Sequence, residues 1–153
     1  MSSDIALEPK QITSQIYQGG WLRPQNIPEL VQLGITHVLN LDLPYTTDPL
    51  PFVEANITVH NTYIQDHCLM LSQLVLEVIE VIDRSLSSPG NKIYIHCVEG
   101  VSRSPTITWF YLIYTGLSPE EAAAKVNPNP VLYDATIVQQ VIANRPVTHC
   151  LRQ

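Results

Sequence analysis

The 153-residue sequence is lean in charge: Asp, Glu, Lys and Arg make up only 14% of it, against 45% hydrophobic residues. Even so, it contains no apolar run near the roughly 18 residues that a membrane-spanning helix needs, so a soluble globule with no membrane partner is expected. Basic residues are scarcer than acidic ones, eight against fourteen, for a net charge of -6, and the three lysines, Lys10, Lys92 and Lys125, are scattered. Non-specific binding to nucleic acid or to an anionic bilayer relies on many basic groups meeting phosphates, so no nucleic-acid partner is expected either. Cysteine is also rare. Cys68, Cys97 and Cys150 are an odd number with no C-x-x-C spacing, which argues against a disulfide framework and a zinc site. The opening stretch MSSDIALEPK has neither the basic-then-apolar pattern of an export signal nor the Arg-rich pattern of a transit peptide. A cytoplasmic location is the resulting expectation.

At this length one core can bury most of the surface that the unfolded chain exposes, and neither a repeat nor a low-complexity tract divides the sequence. Residues 1–14 read as a flexible lead-in, 15–147 as one domain and 148–153 as a tail. Within the domain, QIYQG suits a strand. Ile27, Leu30, Val31 and Leu33 then recur at helical spacing up to Gly34, which is placed to end that helix. THVLNLDL and ITVHNTYI read as strands, and Pro44, Pro49 and Pro51 mark residues 44–55 as a loop. From Leu69 to Leu86 apolar residues recur at three and four, between Glu77, Glu80, Asp83 and Arg84, which predicts an amphipathic helix closed by SSPGN. KIYIH is a short buried strand, followed by an apolar helix over 103–114. Ser118 and Glu121 form a capping box ahead of SPEEAAAKV, and a last helix is expected over 135–143. Alternation of strands and helices predicts an α/β fold: a mainly parallel central sheet of four to five strands with helices on both faces.

The stretch IYIHCVEGVSRSP, residues 93–105, concentrates the chemistry. A strand ending at His96, a loop containing Gly100 and a helix starting at Arg103 let backbone N–H groups converge on the helix N-terminus, where the dipole favours an anion. Val98, Glu99, Gly100, Val101 and Ser102 would supply those amides. Donors that hold a phosphate also favour a thiolate, so Cys97 is expected to be a nucleophile at neutral pH. Arg103, six residues on, can present its planar fork to two oxygens of a tetrahedral oxyanion. A cation is unfavourable at a helix N-terminus, and its position there calls for an anion. Ser104 can place a hydroxyl near the sulfur, and His96 is read as orienting the loop or tuning Cys97.

His96, Cys97, Gly100, Arg103 and Ser104 fit the pattern H-C-x-x-G-x-x-R-[ST]. On these residues the chain resembles the cysteine-based protein tyrosine phosphatases, and GVSRS resembles the form found in their small dual-specificity subgroup. IYQGG, LVQLGITHVLNLD and GLSPEEAAAKV are similar to segments of the same enzymes, so that the likeness spans residues 15 to 145. It weakens at NPNPVLYDA, where those enzymes usually carry an arginine and a proline.

The resemblance implies hydrolysis of phosphomonoesters through a phospho-cysteine intermediate, with Cys97, Arg103, Asp66 and Ser104 catalytic, and no metal or cofactor. Asp66, 31 residues before Cys97 in YIQDHC, matches the placement of the family's general acid; Asp42 and Asp48 are the other loop carboxylates that could approach. His60 and His67 are expected at the surface or behind the site. Cys68 and Cys150 are expected to be ordinary thiols, a Cys68–Cys97 disulfide being the less favoured alternative. Ile64 and Gln65 stand where the tyrosine-specific enzymes carry a tryptophan and a proline, which implies a shallower pocket open to phosphotyrosine, phosphoserine and phosphothreonine. Glu99 would repel a polyanion, so a phosphorylated protein is the expected substrate and partner of a monomer. An RNA 5'-triphosphatase or inositide phosphatase is the runner-up, and a non-catalytic phosphate-binding pseudophosphatase is the alternative of a different class.

Overall fold

A computed structural model describes residues 8–43, 48–65, 70–97, 103–126 and 135–146. Strands β1 (Lys10–Gln11), β2 (Ile16–Gly19), β3 (His37–Asn40), β4 (Thr58–Asn61) and β5 (Ile93–His96) form one sheet in the order β1-β2-β5-β3-β4. β1 and β2 are antiparallel, and the other three pairings are parallel. Helices α1 (Ile27–Leu33), α2 (Leu50–Glu54), α3 (Ser72–Ser85), α4 (Arg103–Tyr114), α5 (Pro119–Lys125) and α6 (Ala135–Ala143) complete the α/β domain.

The two-residue period of a strand divides β5 between two cores. Ile93, Ile95 and, just past the strand, Cys97 face one cluster with Val75, Val78 and Ile82 of α3, Phe110 of α4, Ala122 of α5 and Val141 of α6. Tyr94 faces the other, with Leu30 of α1, Phe52 of α2, Tyr17 and Val38. Helices therefore cover both faces, as the strand–helix alternation predicts. α4 is the central helix, buried from Arg103 to Ile113. Its Trp109, Phe110 and Tyr111 are core residues, and Trp109 Nε1 donates to Pro119 O at 2.9 Å.

Local signals hold where they depend on a few adjacent residues. Gly34 closes α1 in the left-handed region, at φ 83°, and Ser118 and Glu121 bond reciprocally at 3.0 and 2.9 Å at the start of α5.

Two elements differ from the sequence pattern. α2 lies inside the stretch read as a loop because its prolines cluster at the entry. Pro51 sits in the first turn, where a missing N–H costs no helical hydrogen bond. Asp48 Oδ1 accepts from Leu50 N at 3.1 Å, and Phe52, 1% exposed, anchors the helix to the core. β1 lies inside the stretch read as a lead-in; two residues carry no readable period, and their strand pairing depends on the open edge of β2. α3 begins at Ser72, later than the expected Leu69, which lies outside the described residues.

The parallel register aligns Gly19, His96, Asn40 and Asn61 across the sheet. Four strands thus end at one edge, and ligand sites of open α/β sheets form beyond such ends.

Candidate active site

Cys97 directly follows β5 and is 1% exposed. Its Sγ lies 3.6 Å from Ser104 Oγ in the first turn of α4, within the range of a sulfur hydrogen bond. Ser104 is fully buried, and its carbonyl accepts from Thr108 Oγ1 at 2.7 Å, inside the helix. Strand end and helix start are in this way joined side chain to side chain.

Arg103, 3% exposed, begins α4. Its Nη1 donates to Ile64 O at 3.0 Å, Asp42 Oδ1 at 3.1 Å and Leu41 O at 3.5 Å. Asp42 thereby supplies a negative charge to a cation that the helix dipole disfavours.

Asp42 is itself placed by a network at the sheet edge. The buried Asn40 side chain accepts from Asp42 N at 2.9 Å and donates to Leu43 O at 3.1 Å and Asn61 Oδ1 at 2.9 Å. Leu41 N donates to His96 O, and Ile64 N to Leu41 O, both at 2.9 Å. The exits of β3, β4 and β5 are thereby bonded into one platform.

His96 is fully buried, and its Nδ1 lies 3.3 Å from Cys97 O. Burial lowers its pKa to about 4, against smaller raising effects of that carbonyl and Asp42. A ring neutral at pH 7 carries one proton, and the contact with a carbonyl places it on Nδ1 as donor. His96 therefore orients the Cys97 carbonyl and is not a cation beside the sulfur.

The structure thus brings Cys97, Arg103, Ser104 and His96 together. Asp66, Val98, Glu99, Gly100, Val101 and Ser102 lie outside the described residues, as do His67, Cys68 and Cys150. Of the other two loop carboxylates, Asp42 binds Arg103, and Asp48 accepts from Leu50 N at the start of α2. His60, expected at the surface or behind the site, is partly buried against α3; its ring stacks on His37 at 5.6 Å, and its Nε2 lies 3.2 Å from Ser85 Oγ. Asp42 as the partner of Arg103 was not read from the sequence, although its place just past a central strand was a usable signal. Among the described residues, no group of three or more His, Cys, Asp or Glu could hold a metal ion.

The family profile described as "Dual specificity phosphatase, catalytic domain" matches residues 16–130. The chain belongs to that family. Among curated dual specificity phosphatases, human dual specificity protein phosphatase 26 is 35% identical over 118 residues, covering 72% of this chain and 54% of its own length. Human dual specificity protein phosphatase 9 is 38% identical over 109 residues, covering 69% of this chain and 27% of its own. The chain spans about half the length, or less, of these relatives. In three dimensions the crystal structure of Tk-PTP in the active form superposes with a TM-score of 0.71 at 22% identity, covering 88% of this chain and 93% of that one. This likeness shows that the two chains share a fold over most of their length.

Proposed function

We propose that this chain is a protein phosphatase that hydrolyses phosphotyrosine and phosphoserine or phosphothreonine esters through a phospho-cysteine on Cys97. The observation that carries the reading is the 3.6 Å approach of Cys97 Sγ to Ser104 Oγ beside the held guanidinium of Arg103. Buried among apolar side chains alone, a cysteine would be packing; beside a hydroxyl and a fixed cation at a helix start, it has the surroundings of a nucleophile.

In the first step the Cys97 thiolate attacks phosphorus and the ester P–O bond breaks. Asp66 gives its proton to the departing oxygen. The amides of residues 98–102 and the Nε–Nη2 side of Arg103 hold the equatorial oxygens, while Nη1 stays on the platform. In the second step water attacks phosphorus, Asp66 takes a proton from it, and the S–P bond breaks. Ser104 reverses its role at that point: its hydroxyl donates to the departing sulfur and favours the thiolate. Phosphate leaves and the enzyme is restored.

The catalytic domain in this reading is residues 15–147; of the lead-in 1–14, Lys10–Gln11 pair onto the edge of its sheet, and residues 148–153 lie outside it. The protein acts as a cytoplasmic monomer on phosphoproteins. The test is phosphate release from p-nitrophenyl phosphate and from phosphotyrosine and phosphothreonine peptides, against inositol phosphates and triphosphorylated RNA. Release from the first group and not from the second is expected. Peptide binding without release would instead assign a pseudophosphatase, and release confined to the second group would assign the lipid or RNA reading.

A further inference from the structure

Two segments grip Arg103 Nη1. Leu41 O and Asp42 Oδ1 belong to the exit of β3, and Ile64 O to the segment that follows β4. Where these segments leave the sheet, Asn40 and Asn61 stand opposite each other as register partners, and Asn40 Nδ2 donates to Asn61 Oδ1 at 2.9 Å. Asn40 is fully buried between Leu39 and Leu41, and a buried amide is costly unless its hydrogen bonds are made. Its oxygen accepts from Asp42 N at 2.9 Å, and its nitrogen also donates to Leu43 O at 3.1 Å. The direction of each bond is fixed. Asp42 N can only donate and Leu43 O can only accept, so Asn40 must turn its oxygen to the first and its nitrogen to the second. That nitrogen in turn requires an acceptor on Asn61.

We propose that Asn61, an exposed residue on the edge strand β4 and two strands away from β5, is a positioning residue for Arg103; this rests on the phosphatase reading above. As an acceptor it fixes the Asn40 amide. Asn40 fixes the turn of residues 41–43 by bonding its own backbone two and three positions on, and that turn presents Asp42 to the guanidinium. An oxyanion then meets an arginine whose geometry is set in advance. The backbone bonds Thr62 N to Asn40 O at 3.0 Å and Ile64 N to Leu41 O at 2.9 Å join the same two segments. The sheet edge therefore does not depend on the asparagine pair to stay together; the pair sets the turn beyond it.

The test measures p-nitrophenyl phosphate turnover, and by calorimetry the affinity for tungstate, a tetrahedral oxyanion that is not hydrolysed, in the wild type, Asn61→Leu and Asn61→Asp. Leucine is close to asparagine in size and lacks the acceptor, whereas aspartate keeps it; Asn61→Ala is a second variant without the acceptor. Asn61→Leu and Asn61→Ala are expected to lower kcat/KM and tungstate affinity roughly 5- to 10-fold. Asn61→Asp is expected to stay within about twofold of the wild type in both. In the Asp42→Ala background Asn61→Leu is expected to add no more than about a further twofold, because the two residues act in series. Asn61→Leu at wild-type values overturns the proposal, as do equal losses in Asn61→Asp, or losses that multiply with that of Asp42→Ala.

Tungstate binding separates the two claims. A wild type without turnover, whose tungstate affinity falls in Asn61→Leu and is kept in Asn61→Asp, sinks the phosphatase reading and keeps the positioning role. Turnover by the wild type, with tungstate affinity and kcat/KM equal in all variants, sinks the positioning role alone. A urea midpoint lowered in Asn61→Leu while tungstate affinity stays at the wild-type value would make the pair a support of the fold only and overturn the proposal. A wild type that binds no tungstate overturns both claims.

Discussion

Asp42 Oδ1 lies 3.1 Å from Arg103 Nη1, and the two side chains are only 14% and 4% exposed. Sixty-one positions separate them in sequence, and the sheet register brings them together by ending β3 beside β5. Two consequences follow for the chemistry. The guanidinium is held on one side before any substrate arrives, so less rotamer freedom is lost when an oxyanion binds. The carboxylate that holds it is engaged by the guanidinium, so a separate acid is expected to protonate the leaving group.

Asp42→Ala should lower kcat/KM by a factor on the order of 10 to 10² for good and poor leaving groups alike, because a positioning contact is lost. Asp42→Asn keeps a hydrogen-bond acceptor and should recover most of that loss. Asp66→Ala should behave differently, slowing alkyl and phenyl phosphates on the order of 10² to 10⁴ and p-nitrophenyl phosphate much less. Leaving-group series for the three variants distinguish the roles; a leaving-group dependence in Asp42→Ala would make Asp42 the acid.

Ser104→Ala removes the hydroxyl 3.6 Å from the sulfur. The contact matters when sulfur is expelled, so the second chemical step should slow and the first should not. Stopped-flow traces with p-nitrophenyl phosphate should then show a burst equal to the enzyme concentration, followed by a steady rate lowered on the order of 10-fold or more. A slower burst phase would place Ser104 in the first step.

His96 gives a pH dependence of stability with a definite sign. Its pKa falls from 6.5 to about 4 on burial, so between these values the unfolded chain binds a proton that the native state does not. Acid therefore favours unfolding: stability is complete above pH 6.5 and is lost as pH falls toward 4. Between pH 7 and pH 5 the loss from this group is about 2 kcal/mol. The desolvated imidazoles of His37 and His60, also lowered, act in the same direction. Urea midpoints measured across this range should drop as stated, and the slope should flatten in His96→Gln; an unchanged slope would mean that His96 titrates normally.

Much of this was legible in the sequence because it is local. The run IYIHC is short, β-branched and aromatic and is followed by a helical period from Arg103, and β5 and α4 lie where that pattern puts them. Gly34 and the pair Ser118 and Glu121 act within a few residues of themselves, and so their roles could be read directly. What escaped depends on tertiary neighbours. The proline cluster at 49 and 51 looks like a loop until Phe52 has a core to enter. Lys10 and Gln11 form a strand only because β2 offers an edge. Asp42 resembles any loop aspartate until the sheet places it against Arg103. His60 has a polar partner in Ser85 of a distant helix, which the alternation of ITVHNTYI does not reveal.

The central claim is that Cys97 carries the phosphoryl group. Acid-quenched turnover of p-nitrophenyl phosphate, followed by tryptic digestion and mass spectrometry, reads it directly. A phosphoryl adduct should appear on Cys97 within the peptide of residues 93–103, should accumulate in Ser104→Ala and should be absent from Cys97→Ser. Turnover with no adduct on that peptide in either the wild type or Ser104→Ala, or with turnover retained by Cys97→Ser, would contradict the account.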